Sequence, residues 1–495
     1  MLTFMFTVRI LRSLQRHFST SVPIPKSEYA SRRSELVEKI VQISSSNQSS
    51  AHHLVIIPSA EVKYASLHVP YSFRQDSYFR YLTGITEPNA ILALEIECKS
   101  SDNVAFLPRL FVEERTVHER LWDGPSLGIS GATKLTGIKQ TLPAQCLSDY
   151  LKMVLSNLYS ANGFLWFNAP FTIKSGERAP VNRSIFSLVS EHFTESKLSK
   201  SHLRNPNPLI DELRVVKSEA ELKIMRQAVK NTSIALKKTM ASAYSGIREA
   251  ELSARFQFES ALLGSDLGYP AVVAGGNRAN IIHYLRNSER VEDGDLVLMD
   301  VGCDVEGYTA DISRTWPVNG AFSRHQKLLL EILIQVQDEC QKAATPDYSL
   351  EKLYDVMVRR LAYYLNEEKI IHVSEREFSR VGSAICPHHI GHYLGMDVHD
   401  TASISYGRNF ESGMVFPLEP GIYFPCDGEK VSVAEEFRGM GLRHEDDYVF
   451  TAEGKAEKLS DCVPFAVSDL EALIGSSCKQ KTDEFLQCSG LDERE

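Results

Sequence analysis

The sequence predicts an α+β protein in two domains, and three observations carry that expectation. At 495 residues and 43% apolar composition, the chain is long enough for about two domains with sizeable cores. Short apolar runs, LVIIPS (54–59), AILALEIE (90–97), VAFLPRL (104–110) and FLWFNA (164–169), alternate with polar stretches and read as a mixed α/β unit. Past the punctuated linker Asn205-Pro206-Asn207-Pro208, long helical patterns flank a strand-rich centre. The expected divisions are a leader at 1–27, a first domain at 28–210, a second at 211–475 and a polar tail at 476–495.

The elements follow in order. Residues 1–27 carry Arg9, Arg12, Arg16 and Lys26, with no acid before Glu28, interleaved with Leu2, Phe4, Phe6, Val8, Ile10, Leu11 and Leu14. As a helix this is apolar on one side and cationic on the other, the pattern of a mitochondrial transit peptide. The opening apolar run is cut at Arg9 with no basic stretch before it, which argues against a secretory signal. The matrix is the expected location, and a form lacking the leader would stay in the cytosol. From Glu28 a helix places Leu36, Ile40 and Val41 on one side. Leu213 to Lys238 reads as one helix. Gly275-Gly276-Asn277 breaks the helical pattern, strands are expected from there, and helices return at Gln326 to Ala344 and Leu350 to Leu365.

Composition narrows the function. A net charge of −10 without a basic block in the body of the chain argues against nucleic-acid or anionic-membrane partners and for a small or peptide substrate. The nine cysteines are scattered and contain no CxxC pair, so neither a thiolate metal site nor a secreted disulfide framework is expected. No apolar run reaches the roughly 18 residues of a membrane span, so no membrane insertion is expected.

The chemistry begins at Leu296 to Thr315, LVLMDVGCDVEGYTADISRT. The apolar Leu296 to Met299 reads as a buried strand, Asp304 to Gly307 as a turn, and Tyr308 to Thr315 as the returning strand. A turn centred between Val305 and Glu306 sets Asp300 directly opposite Asp311, Cβ atoms roughly 4.5–5.5 Å apart. Like charges so placed need a shared proton or a cation. Downstream, His388, His389, His392 and His399 fall within one twelve-residue stretch of a chain holding 15 histidines, a density that points to a metal or acid/base site. Glu419 stands between an apolar strand and a Pro-Gly turn, and Arg443 and Glu445, two apart, share a strand face. Asp300, Asp311, His392, Glu419 and Glu445 together suit two divalent cations, Mn²⁺ foremost, with Co²⁺, Fe²⁺ or Zn²⁺ as alternatives. Four negative ligands balance two dications, and Arg443 offsets the charge of a bridging hydroxide.

In the contexts MDVG, ADISRT, GHYLG, LEPG and RHEDD, the order Asp, Asp, His, Glu, Glu resembles that of the pita-bread metallopeptidases, and within them the Xaa-Pro aminopeptidases, or aminopeptidase P. YSFRQDSYFRYLTGITEP (71–88) and ERLWDGPSLG (119–128) are similar to the creatinase-type N-terminal domain of the same family, and CPHHIGHYLGMDVHDT (386–401) is most like its mitochondrial, intermediate-cleaving branch. The resemblance implies a dinuclear-metal aminopeptidase that removes one N-terminal residue from a peptide or protein. Asp311 and Glu445 would bridge the metals, Asp300 would hold one, and His392 with Glu419 the other. Glu419 would also shuttle the proton, His283 and His399 would bind substrate and stabilise the oxyanion, and His388 would line the pocket after the scissile bond. His389 is assigned to structure. Leu418 and His444 depart from the usual aliphatic choices, and His444 is expected to add a hydrogen bond or pH sensitivity. The family also implies a homodimer or homotetramer, with Trp122 near a neighbour. Two alternatives stay open: a prolidase confined to Xaa-Pro dipeptides, and a non-catalytic pita-bread binding module. Arg16-His17-Phe18-Ser19 resembles sites where a matrix protease cuts first and an aminopeptidase then removes one residue.

Overall fold

The computed structural model of the chain describes residues 24–45, 51–100, 103–161, 163–168, 185–426 and 431–474. Residues 1–23 of the expected leader therefore lie outside the described residues, whereas 24–27 belong to the first unit. Two compact units emerge, Ile24–Arg214 and a second beginning at Val215. Among the described residues no helix is long and apolar enough to cross a membrane.

The first unit is built on a six-stranded sheet. Ala51–Pro58 runs through its middle, antiparallel to Ile91–Ser100 and parallel to Phe164–Trp166; Asn103–Val112 and Gln140–Pro143 extend one side, and Leu203–Arg204 the other. Leu54, Ile56, Ile91, Ala93 and Phe111 meet Leu151 and Leu155 of the helix Leu147–Ser160 in one core. The first helix, Lys26–Ser45, buries Leu36, Ile40 and Val41 as their spacing predicts. It also buries Arg32 and Arg33, which donate to Tyr81 O (3.0 Å) and Leu82 O (2.7 Å). Those carbonyls end the helix Ser77–Thr83, where unpaired acceptors and the helix dipole both favour a cation. Trp122 ends a short helix and is 75% exposed.

In the second unit the expected helix over 213–238 is two helices, Asn207–Arg214 in the first unit and Glu219–Met240 in the second. Ser218 restarts the second as an N-cap whose capping box with Glu221 satisfies donors that a continuous helix would not expose. The strands expected directly after Gly275 are likewise displaced: Gly276–Asn280 is a short 3₁₀ turn, and strand structure resumes at Leu296. The helices Arg324–Ala343 and Leu350–Glu367 return as expected.

The hairpin register also differs from expectation. Asp300 pairs with Ser313, not Asp311, and Val305 pairs with Tyr308. Glu306 (φ 51°) and Gly307 (φ 80°) both take left-handed backbone, so they are the two central residues of the turn, one step further along than composition suggested. Asp311 falls in the break between Tyr308–Thr309 and Ile312–Pro317, two residues from Ser313 and so on the same face. The two aspartates are diagonal neighbours instead of a direct pair. The remaining site elements are the strands Val415–Leu418 and Asp446–Phe450, which pair, and Gly421–Tyr423 and Gly441–Arg443, which pair in turn.

Candidate metal centre

These elements bring the candidate ligands and the histidines of the 388–399 stretch to one cavity of about 590 Å³, lined by His283, Asp300, Asp311, His388, His389, His392, His399, Glu419, Arg443 and Glu445, with Ala402, Ile404 and Tyr406 among the rest of the wall. Asp300 is the penultimate residue of the strand Leu296–Val301, whereas Glu419 and Glu445 each sit just outside a strand, in a strand-to-strand break. The breaks are anchored through the main chain: Glu419 N–H donates to Ile390 O (2.8 Å) and Glu445 N–H to Ser313 O (3.1 Å). Carboxylates can therefore point inward where a continuous ladder would alternate them outward.

Asp311, His392 and Glu445 each offer a ligand atom, all within 4.8 Å of one another. His392 Nδ1 faces its neighbour's carbonyl, Tyr393 O, at 3.1 Å, which assigns the proton to Nδ1. Nε2, left as a lone-pair donor, lies 3.3 Å from Asp311 Oδ2 and 3.9 Å from Glu419 Oε1. Asp300 accepts from Arg443 (2.6 Å) on one oxygen and from the Tyr269 hydroxyl (2.7 Å) on the other. Tyr269 also hydrogen-bonds Asp311, so one phenol joins both aspartates. Ser313 links the remaining pair, accepting from Arg443 Nε (3.0 Å) and donating to Glu445 (2.7 Å). Arg443 and Glu445 thus do share a face, but as buried groups held through a serine and not as a surface ion pair.

The electrostatics favour a cation at this site. Burial, then the neighbouring carboxylates, push Asp311 and Glu445 well above the usual carboxylate range. Burial raises Glu419 to about 7, against the opposing pull of His392 and Arg443. These carboxyl groups, held from ionising and gathered beside one imidazole nitrogen, fit a divalent cation, whose charge would reverse each of these shifts.

The other histidines separate by environment. His399 stacks edge-on against His392, ring centroids 4.4 Å apart, and burial lowers its pKa. His388 is hydrogen-bonded to the Tyr423 hydroxyl (2.8 Å), which also accepts from Arg443 (2.8 Å). His389 is wedged between Tyr354 (4.9 Å, nearly parallel) and Tyr406 (4.8 Å), consistent with a structural assignment, although it also lines the cavity. His283 sits on an exposed loop. Among the described residues the expected extra hydrogen bond from His444 is absent: both ring nitrogens are buried without a hydrogen-bond partner. The nearest carboxylate, Asp446 at 3.5 Å, is already taken by Arg314, Lys458 and Ser460, and the ring packs beside Phe465.

Sequence reasoning missed Tyr269, Ser313, Tyr423 and Asp447. Asp447 accepts the Asp311 N–H (3.0 Å) and so fixes the backbone under a candidate ligand. In the run Glu445-Asp446-Asp447 nothing local tells which acid faces the cavity. Tyr269, in Gly268-Tyr269-Pro270, offered only a turn signal.

Family models match both units, "Metallopeptidase family M24" over residues 223–452 and "Aminopeptidase P, N-terminal domain" over 29–160. The chain is 38% identical over 448 residues to Xaa-Pro aminopeptidase 3 of Rattus norvegicus, covering 90% of this chain and 85% of that protein. It is 33% identical over 452 residues to the mitochondrial intermediate cleaving peptidase 55 of Arabidopsis thaliana, covering 91% and 83%. Among solved structures, the Pseudomonas aeruginosa aminopeptidase PepP superposes with a TM-score of 0.78 at 29% identity, covering 92% of this chain and all of that one. Zn-substituted Escherichia coli aminopeptidase P in complex with product gives 0.77 at 28% identity over 92% and 99%. The fold expected from the sequence, a creatinase-type domain ahead of a pita-bread domain, is the one these matches carry. With a carboxylate–histidine cluster in the matched domain and relatives of this identity along nine-tenths of its length, the chain belongs to metallopeptidase family M24, in its aminopeptidase P branch, and is a metallo-aminopeptidase.

Proposed function

We propose that this enzyme removes a single N-terminal residue from peptides and from imported proteins, favours proline in the second position, and uses two divalent ions, Mn²⁺ foremost, held by Asp300, Asp311, His392, Glu419 and Glu445. The observation that carries the reading is the burial of mutually repelling carboxylates around the lone pair of His392 Nε2. Bound divalent ions supply a more acidic water and an electrophilic clamp for the peptide carbonyl. The chain's own groups do the rest. Arg443 holds Asp300 in place, and Glu419 moves the proton towards the leaving nitrogen. His283 and His399, on the cavity wall, bind substrate and steady the developing oxyanion, and His388, oriented by Tyr423, lines the space for the proline ring.

The test is hydrolysis of a tripeptide Xaa-Pro-Yaa against a dipeptide Xaa-Pro, with metal quantified before and after chelation. We expect two equivalents of metal, tripeptide turnover, and loss of that turnover on chelation with recovery on Mn²⁺ addition. Cleavage confined to the dipeptide would make the enzyme a prolidase. Turnover unaffected by complete metal removal would end the metal reading.

The mitochondrial relatives and the cationic amphipathic leader support a matrix location. In this reading an import protease cuts after His17, and the enzyme then removes Phe18 from other copies of itself. Mature N-termini should begin at Ser19 in cells with active enzyme and at Phe18 in cells carrying only Asp311→Ala. The same terminus in both cells would refute self-trimming.

A further inference from the structure

Beside the candidate centre, outside its proposed ligand set, stands a buried ion pair. Lys217 Nζ lies 3.2 Å from Asp400 Oδ2, and each side chain is only 1% exposed. Desolvating two charges costs so much that such a pair adds little stability over apolar residues of the same size, so what it holds in place matters more than its strength. It joins the segments that deliver the site. Lys217 N–H donates to Gly413 O (2.9 Å), just before the strand that leads to Glu419. Asp400 N–H donates to Tyr393 O (2.9 Å), one residue past His392, and Asp400 Oδ1 accepts the Asp397 N–H (3.3 Å). Gly395, whose carbonyl accepts the Thr309 N–H (2.9 Å), leaves room for the contact: a Cβ there would lie 2.5 Å from Asp400 Oδ2 and 3.0 Å from Lys217 Cε.

Asp400 directly follows His399. Among the described residues no hydrogen bond reaches the His399 ring, so its aim depends on the main chain and on the edge contact with His392. That main chain is unusual, since Thr401 holds a left-handed φ of 48°. We propose that the Lys217–Asp400 pair is a positioning device that clamps the 397–401 turn and thereby aims the His399 imidazole into the cavity. Asp400 and Lys217 are positioning residues acting through His399, and the inference rests on the reading of His399 as a substrate-facing group.

The experiment compares Asp400→Asn, Lys217→Met, His399→Ala and the double variant Asp400→Asn/His399→Ala in the metal-loaded enzyme, with kcat and KM for a Xaa-Pro-Yaa tripeptide and bound metal measured for each. Each single variant should lose about 10- to 100-fold in kcat, the scale of a roughly 1 Å misplacement, with metal content retained. In the His399→Ala background, Asp400→Asn should cost less than about twofold more, because its route of action is already gone. The His399 ring proton signal, assigned by its loss in His399→Ala, should also shift in metal-free Asp400→Asn. Additive losses, or a lowered melting temperature with kcat unchanged, would reduce the pair to ordinary structure and overturn the proposal. If His399→Ala is slow while Asp400→Asn is not, the positioning inference alone falls; normal turnover by His399→Ala removes the reading beneath it as well. Should Asp400→Asn not fold, Lys217→Met/Asp400→Leu, which strands no charge, takes its place with the same expected results.

Discussion

Asp311→Ala will lower tripeptide turnover by at least about a thousandfold, roughly 4 kcal/mol of transition-state stabilisation at 1.36 kcal/mol per decade. Glu445→Ala will do the same, and metal content will fall in both. These residues and His392 offer ligand atoms within 4.8 Å of one another, so either deletion opens the centre at its middle. The stability of the metal-free chain should change in the opposite sense. Asp311 and Glu445 are driven to high pKa by burial and by one another, so deleting either carboxylate relieves a penalty when no cation is bound. Metal-free Asp311→Asn should therefore melt above the metal-free parent at pH 8, while the metal-loaded variant melts below the metal-loaded parent. Paired melting curves with and without chelator check this. A variant that keeps two metals and near-normal turnover would remove Asp311 from the centre, and a metal-free Asp311→Asn that melts lower would show that the carboxylates do not repel as described.

The second large effect is the pH dependence of stability after metal removal. Glu419 is raised from 4.5 to about 7. Between those values the folded chain binds a proton that the unfolded chain has released. Its contribution is therefore fully present below pH 4.5 and is lost as pH rises through about 7. A shift of this size is worth on the order of 3 kcal/mol. Asp311 and Glu445 shift in the same direction and add to the loss. Chelated protein should thus be several kcal/mol less stable towards urea at pH 8 than at pH 5. Mn²⁺ at about a hundred times its Kd should restore about 2.7 kcal/mol at pH 8. Asp446 does not alter this window: although burial alone would raise its pKa, Arg314 and Lys458 hold it far below the usual range, so it titrates only in stronger acid. Urea titrations at the two pH values decide the matter, and stability of the chelated chain that rises with pH would contradict the site's electrostatics.

Tyr269 shows why part of the site stayed hidden in the sequence. One hydroxyl ties Asp300 to Asp311 from a turn more than thirty residues ahead of either partner. No periodicity or spacing records such a contact. The acids of 445–447 make the same point: Glu445 faces the cavity, Asp446 turns to Arg314 and Lys458, and Asp447 caps the backbone of Asp311. Three adjacent carboxylates in or beside one strand have three functions, assigned by what packs around them.

By itself the sequence determined which donor-bearing residues the chain offers and in what order they come, because donor type follows from side-chain identity and the local contexts around Asp300, Asp311, His392, Glu419 and Glu445 are short and contiguous. It determined the apolar faces of the long helices, since a 3.6-residue period is a local property. The tertiary structure alone decided the hairpin register, where Glu306 and Gly307 both adopt left-handed backbone, and the break of the 213–238 helix at Ser218. It alone decided that the His444 ring is buried with no hydrogen bond among the described residues while His399 stands in the cavity wall. The physical reason is common to all of these. Register, burial and protonation depend on groups brought from distant segments, and their energies exist only once those groups have met.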